Sequence, residues 1–231
     1  MLLTLKAYCL DKQNIAPRAK VSVRKGMSIK VILEKLVPKK TAGPSPAFTV
    51  FDAIKMLETI AESGSIGRGS LSEKLGLGEG TTRTLISRLK KAQLMTTSRK
   101  GCVLTEKGTK VWTQIKALIP IMLRIEDNEL TFAANNVATL VKNRAIKVNK
   151  GLEQRDAAVR AGASGATTLV FKDGRLILPT ISNDVSKDYP KAFHQIIQLM
   201  NPTENDVVII SCGTSFKAAE IGVLAASWTL L

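Results

Sequence analysis

Five residues, Gly76-Leu77-Gly78-Glu79-Gly80, constrain this chain more than any other stretch. Three glycines in five positions permit a change of direction that most side chains would obstruct, and the segments on either side have helical periodicity. On the N-terminal side, Arg68 to Leu75 places Leu71 and Leu75 one turn apart, with Gly76 as the stop. On the other side, from about Thr81 to Gln93, Leu85, Ile86, Leu89 and Ala92 form an apolar stripe. Two helices joined in this way make a helix-turn-helix. A third helix precedes them. Thr49 with Asp52 forms a capping-box start, Val50, Ala53, Ile54, Leu57, Ile60 and Ala61 recur on one face, and Ser63-Gly64 ends it.

The helix after the glycine turn carries the chemistry. At 100° per residue, Arg83, Ser87 and Lys90 lie opposite the apolar stripe, flanked by Thr84 and Lys91. Thr81 and Arg88 complete the polar set, and no acidic residue stands between Thr81 and Thr105. A guanidinium can bond a guanine edge bidentately, hydroxyls bond bases or phosphates, and lysines supply phosphate charge. Next comes a hairpin signal: Leu94 to Thr97 and Cys102 to Leu104 are short β-prone runs around a turn holding Arg99, Lys100 and Gly101. A basic hairpin after a helix-turn-helix is a wing. Thr105 then caps a helix with Val111, Trp112, Ile115 and Leu118, stopped by Pro120.

Charge divides the chain at this proline. Residues 1–120 hold 22 basic and 8 acidic side chains, a net of +14, whereas residues 121–231 hold 12 and 11, a net of +1. Only the first half is built for a polyanion, and nucleic acid is the usual one. With 45% hydrophobic residues the chain can bury a core in each of two domains, which excludes a wholly disordered protein. The longest uncharged apolar run, Ile221 to Leu231, falls short of the roughly 20 residues a bilayer span needs, so no membrane is expected. Cys9, Cys102 and Cys212 are isolated, which excludes paired zinc ligands and a disulfide framework and suits a reducing cytoplasm. His194 is the only histidine, so no metal or other cofactor is called for. The expected organisation is a basic, partly disordered arm over 1–44, a DNA-binding domain over 45–120 and a second domain over 121–231.

The neutral half alternates strands and helices. Asn136 to Lys142 reads as a strand, and Leu152 to Ala161 as a helix with Leu152, Ala158 and Val159 inward. Thr167 to Phe171 and Leu176 to Leu178 flank Asp173-Gly174, a dipeptide that favours a type I′ hairpin turn. Lys187 to Met200 reads as a helix, Val207 to Ser211 as a buried strand and Ser215 to Leu230 as a final helix. The order βαββαβ plus a C-terminal helix predicts a ferredoxin-like domain, giving an α+β chain. The final helix carries Ala218, Ala219, Gly222, Ala225 and Ala226, small residues that suit close packing on the sheet or against a second subunit.

The residues from Leu77 to Leu85 and the run from Ser98 to Gly108, with Ile66-Gly67-Arg68 before them, resemble the N-terminal winged helix of an archaeal two-domain family, the glycine-rich turn and Leu104-Thr105-Glu106-Lys107-Gly108 being the most specific pieces. That family pairs the module with a C-terminal domain of unknown function. The module is also similar to the DNA-binding domains of bacterial MarR-type and central-glycolytic-gene regulators. The resemblance covers about residues 45–118 and implies DNA binding. Separately, Cys212-Gly213-Thr214-Ser215 resembles the phosphate-binding turn of sugar-phosphate isomerase domains. With Lys217 it makes a candidate site for a small anionic effector, the alternative being a plain helix cap. The leading expectation is a sequence-specific, homodimeric transcriptional regulator that binds double-stranded DNA. A non-specific architectural nucleic-acid binder is the alternative. An enzyme acting on a phosphorylated metabolite is disfavoured, because only Glu220 and distant His194 offer acid-base chemistry near the turn.

Overall fold

The computed structural model describes residues 28–37 and 48–231. Of the arm expected over residues 1–44, residues 1–27 and 38–44 lie outside the described residues, as does Cys9. A short helix that the sequence pattern does not signal, α1 (Ile29–Glu34), opens the described part. Next come α2 (Val50–Ser63), α3 (Arg68–Leu75) and α4 (Glu79–Lys91). Thr49 and Asp52 form the expected capping box at the start of α2. The turn between α3 and α4 begins with Gly76 in the left-handed region, at φ 58°. The Gly76 N–H bonds the Glu73 carbonyl and the Leu77 N–H the Ser72 carbonyl, a Schellman ending that only a residue tolerant of positive φ accommodates well.

The hairpin pairs β1 (Met95–Ser98) with β2 (Gly101–Leu104) and leads into α5 (Glu106–Leu118). Thr105 caps α5 by accepting from the Gly108 N–H and donating to the Gln93 carbonyl. Gly108 is where α5 meets the link between α4 and β1: a Cβ there would lie 1.8 Å from the Leu94 carbonyl oxygen. This contact explains why a threonine and a glycine stand three residues apart at this helix start. One core joins the elements, with Leu57, Ile60, Leu71, Leu85, Leu89 and Leu94 fully buried.

The second half is a five-stranded sheet with helices on both faces. Its elements are β3 (Ile121–Ile125), β4 (Asn135–Val141), α6 (Leu152–Arg160), β5 (Gly165–Lys172), β6 (Arg175–Ile177), α7 (Val185–Asp188), α8 (Pro190–Met200), β7 (Val207–Gly213) and α9 (Phe216–Trp228). From β4 onward the element order is the expected βαββαβ plus a helix, except that the one helix expected over Lys187 to Met200 is two, α7 and α8, because Pro190 lacks an N–H to continue α7 and instead opens α8. Asp173 and Gly174 have φ of 51° and 70°, as a type I′ turn between β5 and β6 demands.

The spatial arrangement departs from the ferredoxin-like expectation in three ways. The strand order is β3-β4-β7-β5-β6, with every neighbouring pair antiparallel. The last strand, β7, therefore lies between the parallel strands β4 and β5, a place the ferredoxin arrangement gives to the third of its four strands. An extra strand, β3, pairs on the outer edge of β4. Finally, the helices do not share one face: α7 and α8 pack on Leu169, Val208 and Ile210, while α6 and α9 pack on Val137, Val170 and Ile209. The physical reason is visible in β7, whose seven residues are all buried, so apolar cover is needed above and below it.

Helix α6 turns a different side inward from the one expected. Ala158 is buried, but Leu152 and Val159 are about half exposed, and Gln154 takes the inner position by donating to the Thr229 hydroxyl. Close packing against α9 dictates this. A Cβ on Gly222 would come within 2.4 Å of the Ala163 Cβ and 2.5 Å of the Ser211 hydroxyl. The small residues of α9 thus serve contact with the sheet and with α6 inside this chain.

Candidate nucleic-acid interface

Between α4 and the hairpin the first domain has an open cleft of about 530 Å³. Its polar walls carry five cations, Arg68, Arg83, Lys90, Lys91 and Arg99, with the hydroxyls of Ser87, Thr97 and Ser98, and no acidic side chain lines it. Local structure explains the set. Leu85, Ile86 and Leu89 anchor α4 in the core, which turns Arg83, Ser87 and Lys90 outward. The hairpin is held beside them by a backbone pair between Ile66 and Cys102, by Ser65 donating to the Lys100 carbonyl at 2.6 Å, and by Lys90 donating to Thr97 at 3.0 Å. Gly101 permits this approach, since a Cβ there would stand 2.5 Å from the Ile66 carbonyl oxygen.

The structure gathers most of the expected residues and redistributes the rest. Arg83, Ser87, Lys90, Lys91 and Arg99 line the cleft, and Lys100 is exposed at the hairpin tip. Thr84 is exposed, its hydroxyl donating to the Gly80 carbonyl, and Thr81 is half-buried. Arg88 is the exception. Its guanidinium donates to the Leu36 carbonyl at 2.7 Å and lies over the Phe48 ring, so it ties α4 to the segments before α2 rather than facing the cleft. Arg68 is the residue that helical phasing misses. It stands at the start of α3, and only the strand pairing of Ile66 with the hairpin brings it to the cleft.

Cys102 lines the floor of the cleft but is buried, and burial raises its thiol pKa against the opposing influence of Arg68 and Lys90. A raised pKa suits packing rather than nucleophilic chemistry. His194 is exposed on α8, edge-on to Phe193.

The candidate effector turn is used internally. Gly213 is the buried end of β7, and a Cβ there would lie 2.9 Å from the Ala219 amide nitrogen. Ser215 caps α9 by accepting from the Ala218 N–H, and Thr214 is exposed. Lys217 reaches away from the turn, to the Leu75 and Gly76 carbonyls at the end of α3. These are the bonds of the helix-cap alternative.

Comparison with known proteins finds a match in each half of the chain. Residues 52–119 match the CggR N-terminal DNA-binding domain, and residues 132–230 match a domain of unknown function, DUF4443. The chain pairs these two domains. The DNA-binding match runs from within α2 to the end of α5 and so contains the whole cleft, while the DUF4443 match holds the sheet from β4 to β7 and helices α6 to α9. A solved structure of a hypothetical protein from Pyrococcus horikoshii OT3 is similar over both domains, with 26% identity, a TM-score of 0.63, and coverage of 79% of this chain and 92% of that one. No curated protein matches the chain. Among the described residues no helix is long and apolar enough to cross a membrane.

Proposed function

We propose that this chain is a sequence-specific transcriptional regulator that reads double-stranded DNA through a winged helix, acting by binding and not by catalysis. The observation that carries the reading is the acid-free cleft of five cations between α4 and the hairpin. A helix enters a major groove about 12 Å wide, and α4 presents Arg83 and Ser87 on the side away from its core contacts. Arg68, Lys90, Lys91 and Arg99 flank that side where phosphates would pass. One such helix contacts few base pairs, so we place two copies about a twofold axis on a palindromic site.

The test is an anisotropy titration of the full-length protein against genomically selected duplexes and a scrambled control, at several salt concentrations. A regulator separates the two by about 4 to 10 kcal/mol, whereas an architectural binder treats them alike. Affinity falls steeply with salt as counterions leave the phosphates. Arg83→Ala is expected to cost about 1 to 3 kcal/mol on the selected duplex, and Lys100→Ala to weaken both duplexes equally. Absence of binding at low salt would remove the function. Sedimentation of the full-length protein as a monomer, with and without DNA, would remove the dimer.

A further inference from the structure

The turn between α3 and α4 sets the angle at which α4 leaves the helix-turn-helix, and its polar backbone is satisfied in an unusual way. Two of its N–H groups are used in the Schellman ending, and the Leu77 carbonyl accepts from the Ser72 hydroxyl. The Leu75 and Gly76 carbonyls receive their donor from the other domain: the Lys217 ammonium, in the first turn of α9, lies 3.4 and 3.0 Å from them. The last carbonyls of a helix carry its negative end, so an ammonium there is favoured by charge as well as by hydrogen bonding. The fit is close, because a Cβ on Gly76 would come within 3.3 Å of that nitrogen.

Lys217 does not act from a loose segment. Helix α9 is fixed to the sheet through Ala219, Val223 and Ala226, and beyond Lys217 it meets the first domain through Glu220, Leu224 and Trp228. Glu220 lies 3.8 Å from Lys55 on α2. At the far end, the Trp228 ring stands edge-on to Phe51, its indole N–H donates to Glu34, and its carbonyl accepts from Lys30. A rigid helix of the DUF4443 domain therefore spans from α1 and α2 to the turn that precedes α4.

We infer that Lys217 is a positioning residue for DNA recognition: from the DUF4443 domain it holds the α3–α4 turn, and through it the presentation of α4. The inference rests on the proposed DNA-binding function and assigns the route by which the second domain influences it. Because one ammonium serves both carbonyls, its loss would free the two of them at once.

The test compares full-length wild type with Lys217→Met and Lys217→Arg on the selected and scrambled duplexes, together with amide hydrogen exchange across residues 75–82. Methionine retains an apolar stem and removes the charge. The expected result is a loss of about three- to tenfold in affinity for the selected duplex, with little change on the scrambled one, and faster exchange in the turn. Arginine should restore most of both. An equal loss on both duplexes would mean that Lys217 supplies only phosphate charge. Unchanged discrimination and unchanged exchange would overturn the inference while leaving the function standing. Failure of wild type to bind any duplex would instead reject the function itself.

Discussion

Arg88 and Arg83 stand five positions apart on one helix and do opposite things. Arg83 is exposed in the cleft, whereas Arg88 is half-buried, bonded to a carbonyl and stacked on an aromatic ring. Truncating Arg88 removes a charge-assisted hydrogen bond and a cation–π contact, so Arg88→Ala is expected to cost about 2 kcal/mol of stability. Thermal melting should reveal the loss, while the salt dependence of DNA binding should stay that of the wild type. Asp206 supplies a pH-dependent counterpart in the second domain. Its carboxylate is fully buried and accepts from Lys142, the Asn143 and Thr203 N–H groups and the Thr203 hydroxyl. Burial pushes its pKa up, but Lys142 and these donors outweigh burial and hold it below the ordinary aspartate value. A lowered folded pKa means the stabilisation is complete above the unfolded value of about 3.9 and disappears as pH falls through the folded value. Asp206→Asn should cost about 2 to 3 kcal/mol at neutral pH and flatten the acid limb of a urea-denaturation series.

At the scale of elements, Gly108 and the strand order mark what the sequence could and could not specify. Gly108→Ala would force α5 away from the Leu94 carbonyl, an overpacking expected to cost about 2 kcal/mol or more. Circular dichroism melts should show it, with the isosteric space at exposed Gly69, which has no neighbour within 4 Å, tolerating the same substitution. The capped starts of α2 and α5, the glycine turn and both hairpins were legible because each is set by residues within one turn of chain: Thr49 with Asp52, Gly76, Thr105 with Gly108, and Asp173 with Gly174. The sheet order was not, because nothing local distinguishes the partners of β7, whose largely apolar, wholly buried run fits between any two strands. For the same reason Leu152 and Val159 misled: a helix packed through Ala158 against Gly222 is governed by how closely two backbones approach, which apolar periodicity does not encode. The cleft was legible as a face of α4 but not as a cleft, since Arg68 joins it only through the pairing of Ile66 with Cys102.

At the scale of the whole molecule, the split of charge at Pro120 suggests two separable halves, yet the core does not divide there. Leu224 and Trp228, both from α9, belong to the buried cluster of the first domain, where Trp228 retains 8% exposure beside Phe51. Residues 28–120 alone would leave Phe51 and α1 without this cover, so the isolated fragment is expected to keep its cationic cleft but to melt below the full-length protein. Trp228→Ala removes the larger part of this cover within the intact chain. Truncating a buried tryptophan costs about 3 to 5 kcal/mol, and here the loss falls at a contact between domains. A single cooperative transition in the wild type should then separate into two in the variant, because the first domain loses the larger of the two side chains it borrows from α9. Differential scanning calorimetry reads both states directly. Retention of one transition at an unchanged temperature would show that the domains are coupled through their other contacts, Leu224, Lys217 and the Lys55–Glu220 pair, and not through Trp228.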